Sequence, residues 1–334
     1  MSVTVRQSGM QTTVQDLGRL TTQHLGVPVG GAMDEQAHRI ANLLVGNPPD
    51  AAALECALGN VALQFDAPAL VALTGREITA SLDGAPIEAW RAVRVPAGAL
   101  LALHTGCRTT IAIAGGIDVP IVLGARGTSL RAGFGGLYGR ALQKHDVLAV
   151  GAPSQRAHRI LTELEVQSQR SARWATSLSL RPRYAAAPTV RFIKGPEHAL
   201  LTDASRDALH ADSFRLAPES DRMGFRFSGP PLSLTVTRDM LSSGVTAGTI
   251  QLPPGGAPIV LMADRQTTGG YPRLGEVIAV DLPLVAQLRP GDRARFASVT
   301  LDEAHALYCA RERDLATATR ALHFRFDTAG DGAR

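Results

Sequence analysis

An apolar stretch at 259–263 runs directly into Asp264-Arg-Gln-Thr-Thr-Gly-Gly-Tyr-Pro272. A carboxylate, a guanidinium, an amide, two hydroxyls and a phenol thus gather where a core strand should end. Asp264 and Tyr271 are suitable proton carriers once their surroundings tune them. Arg265 can clamp a carboxylate or a phosphate through paired N–H groups. Gly269 and Gly270 let backbone N–H groups approach a ligand, or let the chain turn with positive φ. Polar groups this dense beside a core strand need partners where they are buried. Those partners are either a bound substrate or the protein itself, with Asp264 paired to an arginine.

Two further groups offer such partners. Ser220-Asp-Arg-Met-Gly224 carries Arg222, which can pair with Asp264 or with a ligand anion. The same segment also reads as a local turn in which Ser220 and Asp221 bond nearby N–H groups. Gln15-Asp-Leu-Gly-Arg19 and Gly30-Gly-Ala-Met-Asp34 form the third group, with Asp34 well placed to cap a helix. Asn42 and Glu55, polar among apolar neighbours, either face a cleft or lie at the surface. The chain has no Gly-x-x-x-x-Gly-Lys-Ser/Thr phosphate loop and no Gly-x-Ser-x-Gly elbow. Its nine histidines are dispersed, so no metal is expected. No Ala-Met-Lys-Met-like sequence offers a lysine for biotin.

The elements that must position these residues are mostly short. After the Gly/Pro loop at 26–34 a helix is expected over 35–44, with Ala37, Ile40, Ala41 and Leu44 at helical spacing and Gly46-Asn-Pro-Pro49 to stop it. Short apolar segments follow at 54–57, 61–65, 69–73, 78–82, 92–95, 100–104 and 109–114, separated by turn signals, a pattern of barrels and sandwiches. Residues 153–188 are rich in Ser, Arg and Gln and read as a linker with a poorly formed helix near 156–165. Beyond it come a strand at 190–194, a helix at 200–210, strands near 214–216, 233–236 and 277–280, and a final helix over 303–322. The tail after Asp327 is expected to fray. The expected organisation is a β-rich domain with one helix over 1–152, the linker 153–188, a β-barrel domain over 189–300, and a C-terminal helix and tail over 301–334.

Composition limits the function classes. With 334 residues, 45% hydrophobic and 19% charged, the chain can build two domains with real cores. Its 33 glycines and 20 prolines favour many turns over a helical bundle. A net charge of +4 without a dense basic run gives nucleic-acid binding little support. Three widely spaced cysteines suit a reducing cytoplasm rather than a disulfide scaffold. The N-terminus lacks the pattern of a signal peptide, and no apolar stretch has the length of a membrane span.

Several blocks resemble one family. They are Gln11-Thr-Thr-Val-Gln-Asp-Leu-Gly-Arg19, Gly26-Val-Pro-Val-Gly-Gly-Ala-Met-Asp34, Ala41-Asn-Leu-Leu-Val-Gly-Asn47, Gly115-Gly-Ile-Asp-Val-Pro120, Ser220-Asp-Arg-Met-Gly224, Gly248-Thr-Ile-Gln251 and Ala263-Asp-Arg-Gln-Thr-Thr-Gly-Gly-Tyr-Pro272. In order and spacing, over about 3–296, they resemble the family of 5-oxoprolinase C subunits. That family is also known as KipA-like, biotin-dependent carboxyltransferase, or allophanate hydrolase subunit 2. The resemblance implies a mainly β fold with a few helices and two β-barrel-type domains, at least one of them cyclophilin-like. The amidase chemistry of the older allophanate hydrolase name needs a Gly/Ser-rich signature with a Ser-Ser-Lys triad, which this chain lacks. Two departures stand out. Lys144-His-Asp146 replaces a more usual Gly-Asp turn, and Arg76 follows Thr74-Gly75 where a small residue is usual.

The resemblance implies a cytoplasmic protein that acts with a KipI-like B subunit and a third protein in ATP-dependent opening of 5-oxoproline to glutamate. ATP would enter through the complex. In that reading Asp264 and Tyr271 handle protons, while Arg222 and Arg265 hold the substrate carboxylate or a phosphorylated intermediate. Gln251, Gln266, Thr267 and Thr268 orient the amide, and Asp34 and Asn42 complete the substrate site. A second reading is a urea-type carboxyltransferase that accepts carboxybiotin from a separate carrier. A third is a KipA-like binder that sequesters a kinase inhibitor without catalysis.

Overall fold

The computed structural model describes residues 1–236 and 240–327. The expected fraying of the tail lies outside them. The chain is mainly β, with five α-helices at Glu35–Leu44 (α1), Gln155–Val166 (α2), Asp203–Ala211 (α3), Leu282–Ala286 (α4) and Leu301–Phe326 (α5) among the described residues. It divides into two compact units. One comprises Met1–Gly18, Asp34–Pro182 and residues 313–327; the other comprises Arg19–Met33 and Arg183–Glu312.

The first unit is built on a nine-stranded sheet. Its spine is the antiparallel pair Ala53–Phe65 and Leu100–Ile113. Each of these strands serves two partners in succession. Residues 53–57 pair with Gln11–Gln15 and residues 61–65 with Ser2–Ser8. Residues 101–105 pair with Ile78–Leu82 and residues 109–113 with residues 71–75. The changeover coincides with a register shift between Ala57 and Gly59, where Leu58 takes φ 55° and Gly59 φ 91°. The sequence suggests separate strands at 54–57 and 61–65, because the bulge residues read as a turn. The chain carries the bulge and continues. Val3, Val5, Leu54, Leu63, Phe65, Val71, Leu73, Ile111 and Ile113 fill the core. Cys56 lies among them, and burial pushes its thiol up to about 12, so it is a packing residue and not a nucleophile.

α1 begins as expected. The Asp34 side chain accepts from Ala37 N at 2.9 Å, and Ile40, Ala41 and Leu44 are fully buried. The stretch 153–188 departs from the linker expectation. It contains α2, capped by Ser154 at Ala157 N, whose Ala157, Ile160 and Leu164 are buried in the first unit. The Ser154 cap and the apolar i, i+3, i+7 spacing outweigh the polar composition. No strand forms at 233–236; Leu234 makes only an isolated bridge to Leu201. His145, in the Lys144-His-Asp146 segment, sits at φ 78°, a conformation that glycine adopts more readily.

The second unit contains a closed seven-stranded barrel. Around it run Thr189–Lys194, Arg273–Val277, Thr249–Gln251, Ile259–Leu261, Gly224–Ser228, Phe214–Leu216 and Arg293–Val299. The last strand closes on the first in parallel, from Thr189↔Arg295 to Ile193↔Val299. Phe296 meets Phe192, Phe214 and Phe227 edge-on at 6.4, 5.8 and 5.5 Å, a geometry that adds to area burial. Gly275 makes room for this cluster, since a Cβ there would lie 2.3 Å from the Phe192 ring.

Candidate functional site

The ladder between Ile259–Leu261 and Gly224–Ser228 continues past the strand ends. Met262 N donates to Met223 O at 2.9 Å, and Asp264 N to Arg222 O at 2.8 Å. This delivers the two side chains to one place. Arg222 Nε and Nη2 each reach one oxygen of Asp264, both at 2.9 Å. Arg222 Nη2 also donates to Gly31 O at 2.6 Å, and Gly30 N donates to Ala263 O at 3.0 Å. Gly30, at φ 68°, lies between two ionic groups: a Cβ there would be 3.4 Å from Arg19 Nη1 and 3.7 Å from Asp264 Oδ1. The Gly30-Gly31 loop, the Arg222 turn and the strand-end run therefore converge within one unit. Both readings of the Ser220 segment hold together. Asp221 Oδ1 accepts from Met223 N and Gly224 N at 2.9 and 3.2 Å, while Arg222 leaves the turn for Asp264. With both carboxylate oxygens engaged by one guanidinium, Asp264 is an anchored ion-pair partner first.

A second polar group occupies the outer face of the barrel. Ile250 points into the core, so its neighbours Thr249 and Gln251 point the other way. Both are buried. Thr249 pairs with Glu276 across the strands and hydrogen-bonds its carboxyl. A two-stranded flap, Ser243–Gly244 with Thr268–Gly269, covers this face. It rests against the amide, for a Cβ on Gly269 would meet Gln251 Nε2 at 2.4 Å. Arg265 is buried too, but its bonds to Val245 O and Met262 O are both long, at 3.5 Å. Burial lowers the pKa of this guanidinium, and Glu276 opposes the shift. Burial also raises Glu276 to about 7, against the pull of Thr249, Arg265 and Arg273. Gln251 Nε2 and Glu276 Oε1 are buried and have no hydrogen-bond partner.

The remaining nominated residues are scattered more widely. Gln266 and Thr267 are half-buried and Thr268 is exposed on the flap. Tyr271 is 46% exposed. Asp34 and Asn42 belong to the first unit, where Asp34 caps α1. Asn42 donates to Ala51 O at 2.9 Å, meets His38 Nε2 at 3.1 Å and accepts from Asn47 at 2.9 Å. Asn42 and Glu55 are buried and not at the surface; Glu55 pairs with Arg108 at 2.7 Å. Arg76 is buried and pairs with Glu77 at 2.8 Å. A groove of about 710 Å³ between residues 174–180 and the second half of α5 is lined by none of the nominated residues. Among the described residues no cluster of three His, Cys, Asp or Glu is placed to hold a metal ion, and no helix is long and apolar enough to cross a membrane.

Glu276 is the residue that reading the sequence missed. Its signal was a lone carboxylate between Leu274-Gly275 and Val277-Ile278, in a segment otherwise fit for a core strand. Charged residues in such a setting are seldom left without a role.

Comparison with known proteins bears on these groups together. The family model of the carboxyltransferase domain, subdomain A and B, matches residues 25–298. The chain is 39% identical over 303 residues to the 5-oxoprolinase C subunit of Escherichia coli (strain K12), covering 89% of this chain and 91% of that one. It is 35% identical over 300 residues to the 5-oxoprolinase C subunit of Haemophilus influenzae, at 89% and 91% coverage. Among solved structures, the urea amidolyase of K. lactis superposes with a TM-score of 0.85 at 28% identity, over 95% of this chain. The chain spans about a fifth of that larger protein, which it covers to 20%.

Proposed function

This chain belongs to the family of carboxyltransferase domains with subdomains A and B, and on that premise we propose that it is the C subunit of an ATP-dependent 5-oxoprolinase. The reading rests on one observation, the near full-length relation to bacterial proteins of that name. The protein works in a cytoplasmic complex with a KipI-like B subunit and a third protein. ATP enters through those partners, since this sequence has no phosphate loop. Arg222 and Asp264 form a pre-set pair that fixes the Gly30-Gly31 loop against the strand end. Asp264 and the exposed Tyr271 remain the candidate proton carriers. Arg265, Gln266, Thr267, Thr268 and Gln251 face the substrate amide and carboxylate. The bonds of Asp34 and Asn42 give them the support of α1 as their first task.

One observation favours a second reading. The close structural match to a urea amidolyase suits a urea-type carboxyltransferase that receives carboxybiotin from a separate carrier. A purely regulatory, KipA-like binder is the third. Co-expression with the products of neighbouring genes separates them. The expected result is ATP hydrolysis that depends on 5-oxoproline and falls in Asp264→Asn. Biotin-dependent carboxylation of urea would transfer the assignment to the second reading. Neither activity in any combination would leave the binder, and unchanged turnover in Asp264→Asn would remove Asp264 from the chemistry.

A further inference from the structure

The outer face of the barrel holds two groups with an unmet polar atom each and a guanidinium held only by long bonds. Gln251 is 2% exposed, and its Nε2 has no partner. Glu276 has one carboxyl oxygen on Thr249, while Oε1 is buried and has none. Arg265 is 7% exposed and holds two backbone carbonyls only at 3.5 Å. An unmet buried polar atom costs about 1–3 kcal/mol, so two of them beside a loosely held guanidinium call for a ligand with the complementary pattern. Neighbouring Arg273 is only partly committed, since its Nε is also buried without a hydrogen-bond partner. Arg273 N donates to Glu197 at 2.8 Å, and the Arg273 side chain lies 3.6 Å from the same carboxylate. The flap glycine Gly269 leaves room for the Gln251 amide and for nothing larger than hydrogen on its own Cα.

We infer that Glu276 is a substrate-binding residue: it donates its carboxyl O–H, beside the Gln251 amide, to the carbonyl of a cyclic amide, while Arg265 takes an adjoining carboxylate. The ligand class is a small ring carrying –NH–C(=O)–, with a carboxylate as the second anchor. A neutral acid can donate where a carboxylate can only accept. The raised pKa of about 7 supplies that form at and below neutrality. The charged groups facing Glu276 are Arg265 from the strand-end run and Arg273 from its own strand. Thr249 faces it from the adjoining strand, and the paired strand Thr189–Lys194 contributes Ile193 opposite it and the exposed Lys194. This inference rests on the proposed lactam substrate, and its test separates the two.

The full chain is titrated by calorimetry with 5-oxoproline, with proline, which keeps the ring and carboxylate but lacks the carbonyl, and with 2-imidazolidinone, a cyclic urea. The two carbonyl rings should bind more tightly than proline at pH 6. Their affinity should fall on the order of 30-fold by pH 8.5, as the competent acid form disappears. Glu276→Gln keeps a donor at that atom, so it should bind near the wild-type level at pH 6 and lose the pH dependence. Glu276→Ala should lose binding at both pH values, with its melting temperature reporting whether it folds. Equal affinity in Glu276→Ala and wild type overturns the inference. So does a pH dependence that survives in Glu276→Gln, or no measurable binding of either carbonyl ring. In the co-expressed complex, 5-oxoproline turnover with a KM indifferent to Glu276→Gln and Glu276→Ala would sink this role and leave the enzyme assignment standing. Glu276-dependent binding of 2-imidazolidinone without 5-oxoproline turnover would do the reverse.

Discussion

Two buried polar networks in this chain differ in how completely they are satisfied. In the first unit, Asn42 and Asn47 tie the end of α1 to the sheet. Asn47 Nδ2 donates to Asn42 Oδ1 and Ile113 O at 2.9 and 2.8 Å, and its Oδ1 accepts from Gly115 N at 2.8 Å. Each amide has its partners inside the protein. In the second unit, Gln251 and Arg265 are comparably hidden and Glu276 is half-buried, yet Gln251 Nε2 and Glu276 Oε1 are unmet and Arg265 is held only at 3.5 Å. Satisfied networks specify a fold, whereas unsatisfied ones store binding capacity at some expense in stability. The Arg222–Asp264 pair stands between the two cases, because it is internally complete yet lies beside the strand-end run.

That intermediate pair gives the largest expected effect. Arg222→Met should lower the unfolding free energy by about 3 kcal/mol, because Asp264 and Gly31 O then lose their partner in a setting with little solvent. Urea denaturation followed by fluorescence reads the change. An effect below about 1 kcal/mol would class the pair with surface bridges and remove it from the comparison.

The same contrast explains what the sequence disclosed. Asp34 and the apolar spacing of α1 are local signals, and the helix starts and ends where they place it. The Arg222–Asp264 partnership was legible as an option because both residues stand at the ends of recognisable segments; its choice over a ligand anion needed the ladder from Met223 to Asp264. Glu276 was not legible. Its burial follows from pairing with Thr249 and from a flap made by residues 243–244 and 268–269, all distant in sequence from one another. Asn42 was visible as polar among apolar neighbours, but its commitment to Ala51 and Asn47 depends on how the loop after α1 returns. The bulge at 58–59 hid the length of the first spine strand for the same reason: sheet pairing across to 103–109 holds it, not local propensity.

Acidity should divide the units by sign. His38, buried in the first unit, is lowered from 6.5 to about 4, chiefly by desolvation, against the opposing charges of Glu55 and Asp16. Its folded pKa lies below the unfolded one, so its contribution is complete above pH 6.5 and is lost as pH falls toward 4. The loss is about 3 kcal/mol at most. Glu276 runs the other way. Its folded pKa of about 7 exceeds the unfolded 4.5, so its contribution is complete below pH 4.5 and is lost as pH rises through 7. Because it keeps some exposure, its share should be the smaller. Hydrogen exchange resolved by unit, at pH 5 and pH 8, should show protection falling first around α1 in acid and around Arg273–Val277 in base. His38→Gln and Glu276→Gln should each flatten one arm. Parallel loss in both units at one pH would erase the distinction.

Next comes Asn47→Ala, which removes three hydrogen bonds at once. It should destabilise by about 2 kcal/mol and leave ligand affinity per folded molecule unchanged. A change in affinity would show that the α1 network serves more than the fold.

The smallest expected effect on stability discriminates best. Gln251→Leu replaces an amide with an unmet Nε2 by an apolar side chain of similar volume. Replacing an unsatisfied buried polar group in this way is close to neutral, within about 1 kcal/mol, and can stabilise. Sites selected for binding commonly trade stability in this manner. The same substitution made at Asn47 would remove satisfied bonds and should cost several times more. Gln251→Leu should therefore melt at or slightly above the wild-type temperature while losing cyclic-amide binding at least tenfold. If it destabilises as much as Asn47→Ala, Gln251 has internal partners after all, and the two networks are of one kind. If it is neutral in both stability and binding, the unmet amide is a tolerated defect, and the functional face must be sought around Tyr271 and the Arg222–Asp264 pair instead.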